Sequence, residues 1–486
     1  MQVNYQAQIS PWLKVWTEDQ CHELHLSSLE ILERTGTVFY DKSAQKILKE
    51  GGAYVKEDRI YIPPWMIEAA IKTAPERITL KGRDKKLLRL EKNDVNFGLG
   101  TDLPFFLDMK TREYRKTVLQ DIINVATVVD YLPNLDFVAS LGIASDVNTH
   151  LVDLYHFKAM HEYCQKPILM TASDENNLQG LIDMAAVSAG GYEELKRNPL
   201  FLLYTEPISP LLHSKEALQK LMLAAKYEIP VTYASGISSG TTGPVTLAGT
   251  LALANAECLA GLVLHQMVNP GAPFMYGIVA SPADMNTTMV NYGGPEMPLN
   301  YCVVGEMGNY YKLPTYGQSG CTDSAVLDQQ AGIEAMFSIF AAALSGTNFV
   351  HDNGYIGNGL VGSLEMLVLC DECISMVKHF MKGMEVNKET LALEIIHQIG
   401  PGGHFLATDH TFKHFRSSNW NPRYLNRKDY QNWELHGKKT MGDRIKEEVD
   451  SILAGHNTEP LAENTLNEFN RIIDEHEKSI KSASKG

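Results

Sequence analysis

Tyr204, Tyr276, Tyr316, Tyr355 and the neighbours Phe105 and Phe106 share a position in the chain, because each ends or closely follows a short apolar run. If those runs are strands of one sheet, the rings stand at its edge and can converge on one volume. Aromatic faces carry negative potential. A cage of them holds a quaternary ammonium, which has no N–H to donate and is gripped by cation–π and dispersion contacts alone. Each ring taken singly fits core packing as well, and their concentration is what points to a ligand.

Polar side chains occupy the same ends. Glu206, in Tyr-Thr-Glu-Pro, reads as a buried acid or as the counter-charge of a cation, with a solvated loop carboxylate as the alternative. Gln318 closes the seventh run. His351 and Asp352 suggest an acid–base pair, but neighbours in a strand face opposite sides, so one of them is expected to be a hydrogen-bonding support unless the strand has ended. Gly317, Gly320, Gly354, Gly357 and Gly359 cluster after the last two runs, where barrels often bind phosphate. No Lys or Arg accompanies them, and Gly354 and Gly357 are read as letting a cofactor or a partner's backbone come close. His404, Asp409, His410 and His414 match no dependable metal-ligand spacing. Structural hydrogen bonds are expected there, and no metal.

The elements that must position these residues form a repeat. Eight apolar runs, at 95–99, 136–141, 167–171, 200–204, 231–234, 274–278, 314–317 and 348–351, are each followed by a polar turn and an amphipathic segment. In one such segment Ile333, Met336, Phe337, Phe340 and Leu344 fall on one helical face. Strands alternating with helices require a parallel sheet, and eight units at this spacing predict closure into a (β/α)8, TIM-type barrel of mixed α/β class. The competing open doubly wound sheet lacks its G-x-G-x-x-G turn. The expected organisation is an N-terminal helical extension over 1–90, the barrel over 91–385, and a C-terminal helical extension over 386–486 packed on the barrel. In such a barrel the site lies where the strands end.

Charge narrows the partners. Forty-three basic against 58 acidic residues leave a formal net charge of −15, which repels nucleic acid and draws cations. Residues 1–20 lack the basic-then-apolar order of a signal peptide. The apolar stretch 246–268 contains Asn255, Glu257 and His265, which marks a buried helix and no membrane span. Seven scattered Cys suit a reducing cytoplasm, and Cys370 with Cys373 reads as helix packing. The sequence leaves a homo-oligomer open.

Runs 320–331 (GCTDSAVLDQQA), 343–355 (ALSGTNFVHDNGY) and 362–369 (GSLEMLVL), with 400–411 (GPGGHFLATDHT) and 433–437 (WELHG), resemble the trimethylamine:corrinoid methyltransferase family. The resemblance implies a TIM-type barrel that moves a methyl group from a small amine to cob(I)alamin carried by a separate corrinoid protein, with no cobalamin held tightly by this chain. Archaeal trimethylamine members carry pyrrolysine in the barrel mouth, whereas this chain has standard residues only. The resemblance therefore points to a quaternary amine, glycine betaine first. Two other readings stand beside it: a cofactor-free barrel lyase or hydrolase with His351 and Glu206 as acid and base, and a betaine-binding protein.

Overall fold

The computed structural model describes residues 11–483. All eight predicted runs are strand positions of one parallel barrel. The first strand, Asn96–Leu99, pairs with the eighth, Phe349–Asn353, and the sheet continues through Thr315–Gln318, Phe274–Pro282, Val231–Tyr233, Phe201–Thr205 and Ile168–Met170. Parallel bridges from Phe137 to Gly98 and from Val138 to Ile168 supply the second strand and complete the ring. A helix follows every strand, the last being Leu364–Met381.

Local chemistry sets where these helices begin. Asp174, Ser214, Asp328 and Ser363 each accept a hydrogen bond from a backbone N–H in the first turn of the helix that follows. These caps satisfy donors that would otherwise be orphaned at each strand-to-helix turn. Inside the barrel Phe137 stacks on Phe349 with centroids 3.6 Å apart, and Tyr316 stacks on the other side of Phe349 at 6.0 Å. Gly98 makes that layer possible, since a Cβ there would lie 2.4 Å from the Phe137 ring.

Residues before the barrel are not helical alone. Helices Glu18–Glu30, Lys42–Glu50 and Pro64–Thr73 alternate with strands Thr37–Phe39, Tyr54–Lys56, Arg59–Tyr61, Ile78–Lys81 and Leu87–Leu90. The alternation of strands of three or four residues is too short to register, which is why a sequence reading misses them. Thr37–Phe39 also pairs in parallel with Leu212–His213, from the loop after the fourth barrel strand. Glu257 fixes the same loop, accepting from the Ser209 hydroxyl at 2.7 Å and the Leu211 N–H at 2.6 Å.

Glu257 lies on Leu247–Val268, the described helix long and apolar enough to cross a membrane. It is instead buried in the fold, with Asn255, Glu257 and His265 all inaccessible. Beyond the barrel, Met441–Gly455 and Glu463–Ala483 pack on its helices, and Phe469 is fully buried beside Phe157. The helices between the barrel and Met441–Gly455, from Lys388–Leu391 to Tyr430–Leu435, bury no side chain.

Gly98→Ala is expected to lower stability by about 1–3 kcal/mol through overpacking, read as a lower denaturation midpoint. Phe137→Leu in the same chain should recover part of that loss. Simple additivity of the two changes would place the crowding elsewhere.

Candidate active site

At the eighth strand the register slips between Val350 and Asn353, and Asp352 takes a left-handed φ of 70°. Two adjacent side chains therefore turn to the same side, which regular strand alternation forbids. His351 Nε2 lies 3.1 Å from Asp352 Oδ1, and His351 Nδ1 donates to the Gly317 carbonyl at 2.6 Å. Gln318 donates to the other Asp352 oxygen, and Tyr301 donates to Gln318. Burial pushes His351 down to about 3 and Asp352 up to about 7. Below about pH 7 the arrangement is thus held by neutral forms, with protonated Asp352 donating to a lone pair of neutral His351.

Tyr204 stands over this cluster, its ring 6.4 Å from His351 and 5.6 Å from Tyr316, while Tyr316 lies 4.2 Å from His351. The Tyr204 hydroxyl donates to Glu206 Oε2 at 2.6 Å. Burial, then the charge of Glu206, keeps that phenol protonated far above neutral pH. Burial also raises Glu206, against the pull of the Tyr204 hydrogen bond and of Lys220. His351 and Glu206 do not form an acid–base pair, because Tyr204 intervenes and the imidazole is already engaged on both nitrogens.

Beside Tyr204 a cavity of about 610 Å³ opens to solvent over the ends of the second, third and fourth strands. Asp102, Asp153, Glu206 and Lys220 line it. Burial and the nearby Asp153 raise Asp102 to about 6. Burial also raises Asp153, whose carboxylate accepts from the Ser173 N–H and hydroxyl, both at 2.7 Å. Lys220 donates to the Ala172 carbonyl at 2.6 Å, and burial lowers its pKa against the attraction of Asp153, Asp102 and Glu206. Three carboxyl groups thus face one ammonium in a confined space, a site with a deficit of positive charge.

Of the residues expected at the mouth, the structure brings together Tyr204, Glu206, Tyr316, Gln318 and His351. Tyr276 lies elsewhere: its hydroxyl donates to Asn255 Oδ1 at 2.8 Å and its ring meets Tyr311, so it packs between sheet and helices. Phe105 and Phe106 belong to a hairpin, Phe105–Leu107 with Tyr114–Lys116. Phe105 is exposed and Phe106 is buried beneath the Arg115 guanidinium, so neither lines the cavity. Tyr355 is buried with its hydroxyl donating to the Thr101 carbonyl at 2.6 Å and reaching Asp352, so it joins the His351–Asp352 cluster from below the cavity's lining.

The glycines after the last strands are not an open face either. Gly354 is buried against Leu367 and Leu141, and Gly357 donates to the Ser324 carbonyl at 2.8 Å. Gly359, at φ 70°, leaves room for the Tyr292 ring, which a Cβ would approach to 2.4 Å. Asp323 ties these loops together, accepting from the N–H groups of Tyr292 and Gly293 and from Asn358. The mouth is closed on this side and open over strands two to four.

Sequence reading missed Tyr292, Tyr301, Asp153 and Lys220. Asp153, Lys220 and Tyr301 sit on helices and Tyr292 in a long loop, away from the strand ends. Among the described residues no three His, Cys, Asp or Glu side chains are placed to hold a metal. The rings of His410 and His414 lie 4.6 Å apart, tilted by 40°, and His414 reaches Glu389.

The family model described as trimethylamine methyltransferase (MTTB) matches residues 1–481. The chain belongs to the MTTB family. It is 31% identical to the trimethylamine methyltransferase MttB of Desulfitobacterium hafniense strain DCB-2, over 95% of this chain and 94% of that one. It is also 31% identical to the glycine betaine methyltransferase of strain Y51, over 93% and 94%. The monomethylamine methyltransferase MtmB of Methanosarcina barkeri superposes over 90% of this chain and 93% of its own, at 12% identity and a TM-score of 0.46. This MTTB member is accordingly a methyltransferase.

Burial raises the Asp352 pKa above its unfolded value, so its contribution to stability is lost as pH rises from about 4 to about 7. Compared with Asp352→Asn, the native chain should lose up to ~1.4 kcal/mol per pH unit across that window. Parallel stability–pH curves for the two proteins would mean an ordinary carboxylate.

Proposed function

We propose that this methyltransferase takes a methyl group from a carboxylated quaternary amine, glycine betaine foremost, and passes it to cob(I)alamin on a separate corrinoid protein. The observation that carries the reading is the cavity in which Asp102, Asp153 and Glu206 face Lys220 beside Tyr204. A betaine is a zwitterion. Its ammonium suits the carboxylates and the Tyr204 face, and its carboxylate suits Lys220. The hydrogen bond from Tyr204 to Glu206 adds to this, since a phenol donating to a carboxylate carries more electron density on its ring.

The reaction asks little proton chemistry of the protein. The N–CH3 bond breaks with its electron pair left on nitrogen, so the leaving group is a neutral tertiary amine. The acceptor supplies the pair for the new bond to carbon. No general acid is needed, which fits a histidine held neutral with both nitrogens occupied. The residues orient the substrate and concentrate it, and the walls keep the reacting carbon from water.

Mixing the protein with cob(I)alamin and a panel of amines, and following methyl–cobalt absorption, tests the assignment. Glycine betaine or another carboxylated quaternary amine should be turned over well and trimethylamine poorly. Equal or better turnover of trimethylamine contradicts the proposal, as does tight betaine binding without transfer, which belongs to a binding protein. Lys220→Met should raise KM for a carboxylated substrate ten- to a hundredfold, the worth of about 1.5–3 kcal/mol for a charge-assisted hydrogen bond, and leave tetramethylammonium unaffected. Tyr204→Ala should weaken a cation about tenfold or more while sparing its neutral isostere, with Tyr204→Phe recovering much of the loss.

A further inference from the structure

His156 is buried on the cavity wall with half of its hydrogen-bonding capacity unused. Its Nε2 accepts at 3.1 Å from the N–H of Ala144, in the loop after the second barrel strand. A ring nitrogen that accepts from an amide carries no proton, and burial pushes the imidazole down to about 4, so the ring is neutral at ordinary pH. The proton therefore sits on Nδ1. That N–H has no partner among the described residues and opens on the cavity that His156 lines. A donor on a side chain only 2% exposed is rarely left idle, because unpaired it forfeits the hydrogen bond it had in water.

Lys220 is in a similar condition. Its ammonium has three N–H bonds to give. One reaches the Ala172 carbonyl, and no carboxylate oxygen of the described residues comes within ion-pair distance of the rest. The two incomplete donors come from different helices anchored on consecutive residues. Lys220, on Lys215–Tyr227, holds Ala172, while Asp153, one turn before His156 on Val152–Tyr163, accepts from the Ser173 N–H at 2.7 Å. Both helices thus present a free N–H to the same cavity.

We propose that His156 is a specificity-determining residue, its Nδ1–H taking one oxygen of the substrate carboxylate while Lys220 takes the other. The inference rests on the reading of this cavity as a site for a carboxylated quaternary amine. The two groups divide the work. Lys220 supplies charge but little direction, being a compact donor on a flexible stem. His156 supplies direction without charge, being a planar donor pinned at its far side by Ala144. A second cation in this position would compete with the substrate's own ammonium for Asp102, Asp153 and Glu206. A neutral donor leaves those carboxylates to the substrate. An amine without oxygen, such as tetramethylammonium, gains nothing from either group.

Calorimetric titration of the full chain with glycine betaine and with tetramethylammonium, in the absence of a corrinoid protein, isolates this contribution. The side chain of His156→Gln reaches as far as Nε2, so its amide oxygen keeps the bond from Ala144 while nothing stands in the place of Nδ1. This variant should bind glycine betaine about ten- to a hundredfold more weakly, the loss expected for a hydrogen bond to a charged acceptor, and tetramethylammonium as before. His156→Asn does the reverse, offering an N–H near the place of Nδ1 and giving up Ala144. It should bind glycine betaine better than the Gln variant despite a lower melting temperature. A native chain that binds tetramethylammonium as tightly as glycine betaine overturns this inference together with the reading beneath it. A native preference for glycine betaine that stays intact in His156→Gln overturns this inference alone. Equal weakening of both ligands in His156→Gln also overturns it, and leaves His156 the task of fixing the loop at Ala144.

Discussion

The pairing of the first barrel strand with the last is the constraint on which the mouth depends. Leu99 meets Asn353 across a slipped register, and Phe137 bridges to Gly98 on the other flank. A closed ring of parallel strands puts every strand end on one face, so residues more than two hundred positions apart, such as Asp102 and His351, come to share one mouth. The slip that accommodates closure also turns His351 and Asp352 to one side. Without it, one of them would face the helix layer, and the hydrogen-bond chain from Tyr301 through Gln318 would have no end.

Electrostatics divides the mouth into two regions of different character. Around the barrel axis the groups are neutral: a histidine depressed by burial, a carboxyl raised by it, a glutamine and phenols. Over strands two to four the groups are carboxylates facing a lysine, beside an opening to solvent. A buried charge without a partner is costly, and that cost falls when a ligand of opposite sign arrives. Burial accordingly raises all three carboxyl groups and lowers the lysine.

Much of the fold was legible because parallel barrels write it locally. Each strand is a short apolar run, four of the eight strand-to-helix turns carry a capping Asp or Ser, and helices such as Gln329–Ser345 show their period in the sequence. The site was half legible. Tyr204, Glu206, Tyr316, Gln318 and His351 follow from the rule that strand ends carry the chemistry. Tyr276 shows the limit of that rule, since a residue inside a strand faces the barrel or the helices by alternation, and a reading without register assigns it blindly. Lys220 and Tyr301 reach the site from helices, where nothing in the spacing tells an inward polar residue from a surface one. The strands of the N-terminal extension were invisible because three or four residues are too few to show alternation, and one of them is completed by a distant segment.

That shared sheet orders events during synthesis. Thr37–Phe39 leaves the ribosome early, but the strand beside it, Leu212–His213, follows only after some 170 further residues. Until then the extension presents an unpaired edge, a hazard for pairing with other chains. Its completion coincides with the arrival of the loop that follows Glu206. The same few backbone hydrogen bonds that end the nascent chain's exposure also tether the loop whose flanks, Pro207 and Ile208 on one side and Ser214 on the other, line the cavity, so the edge is covered and that loop is held in a single step.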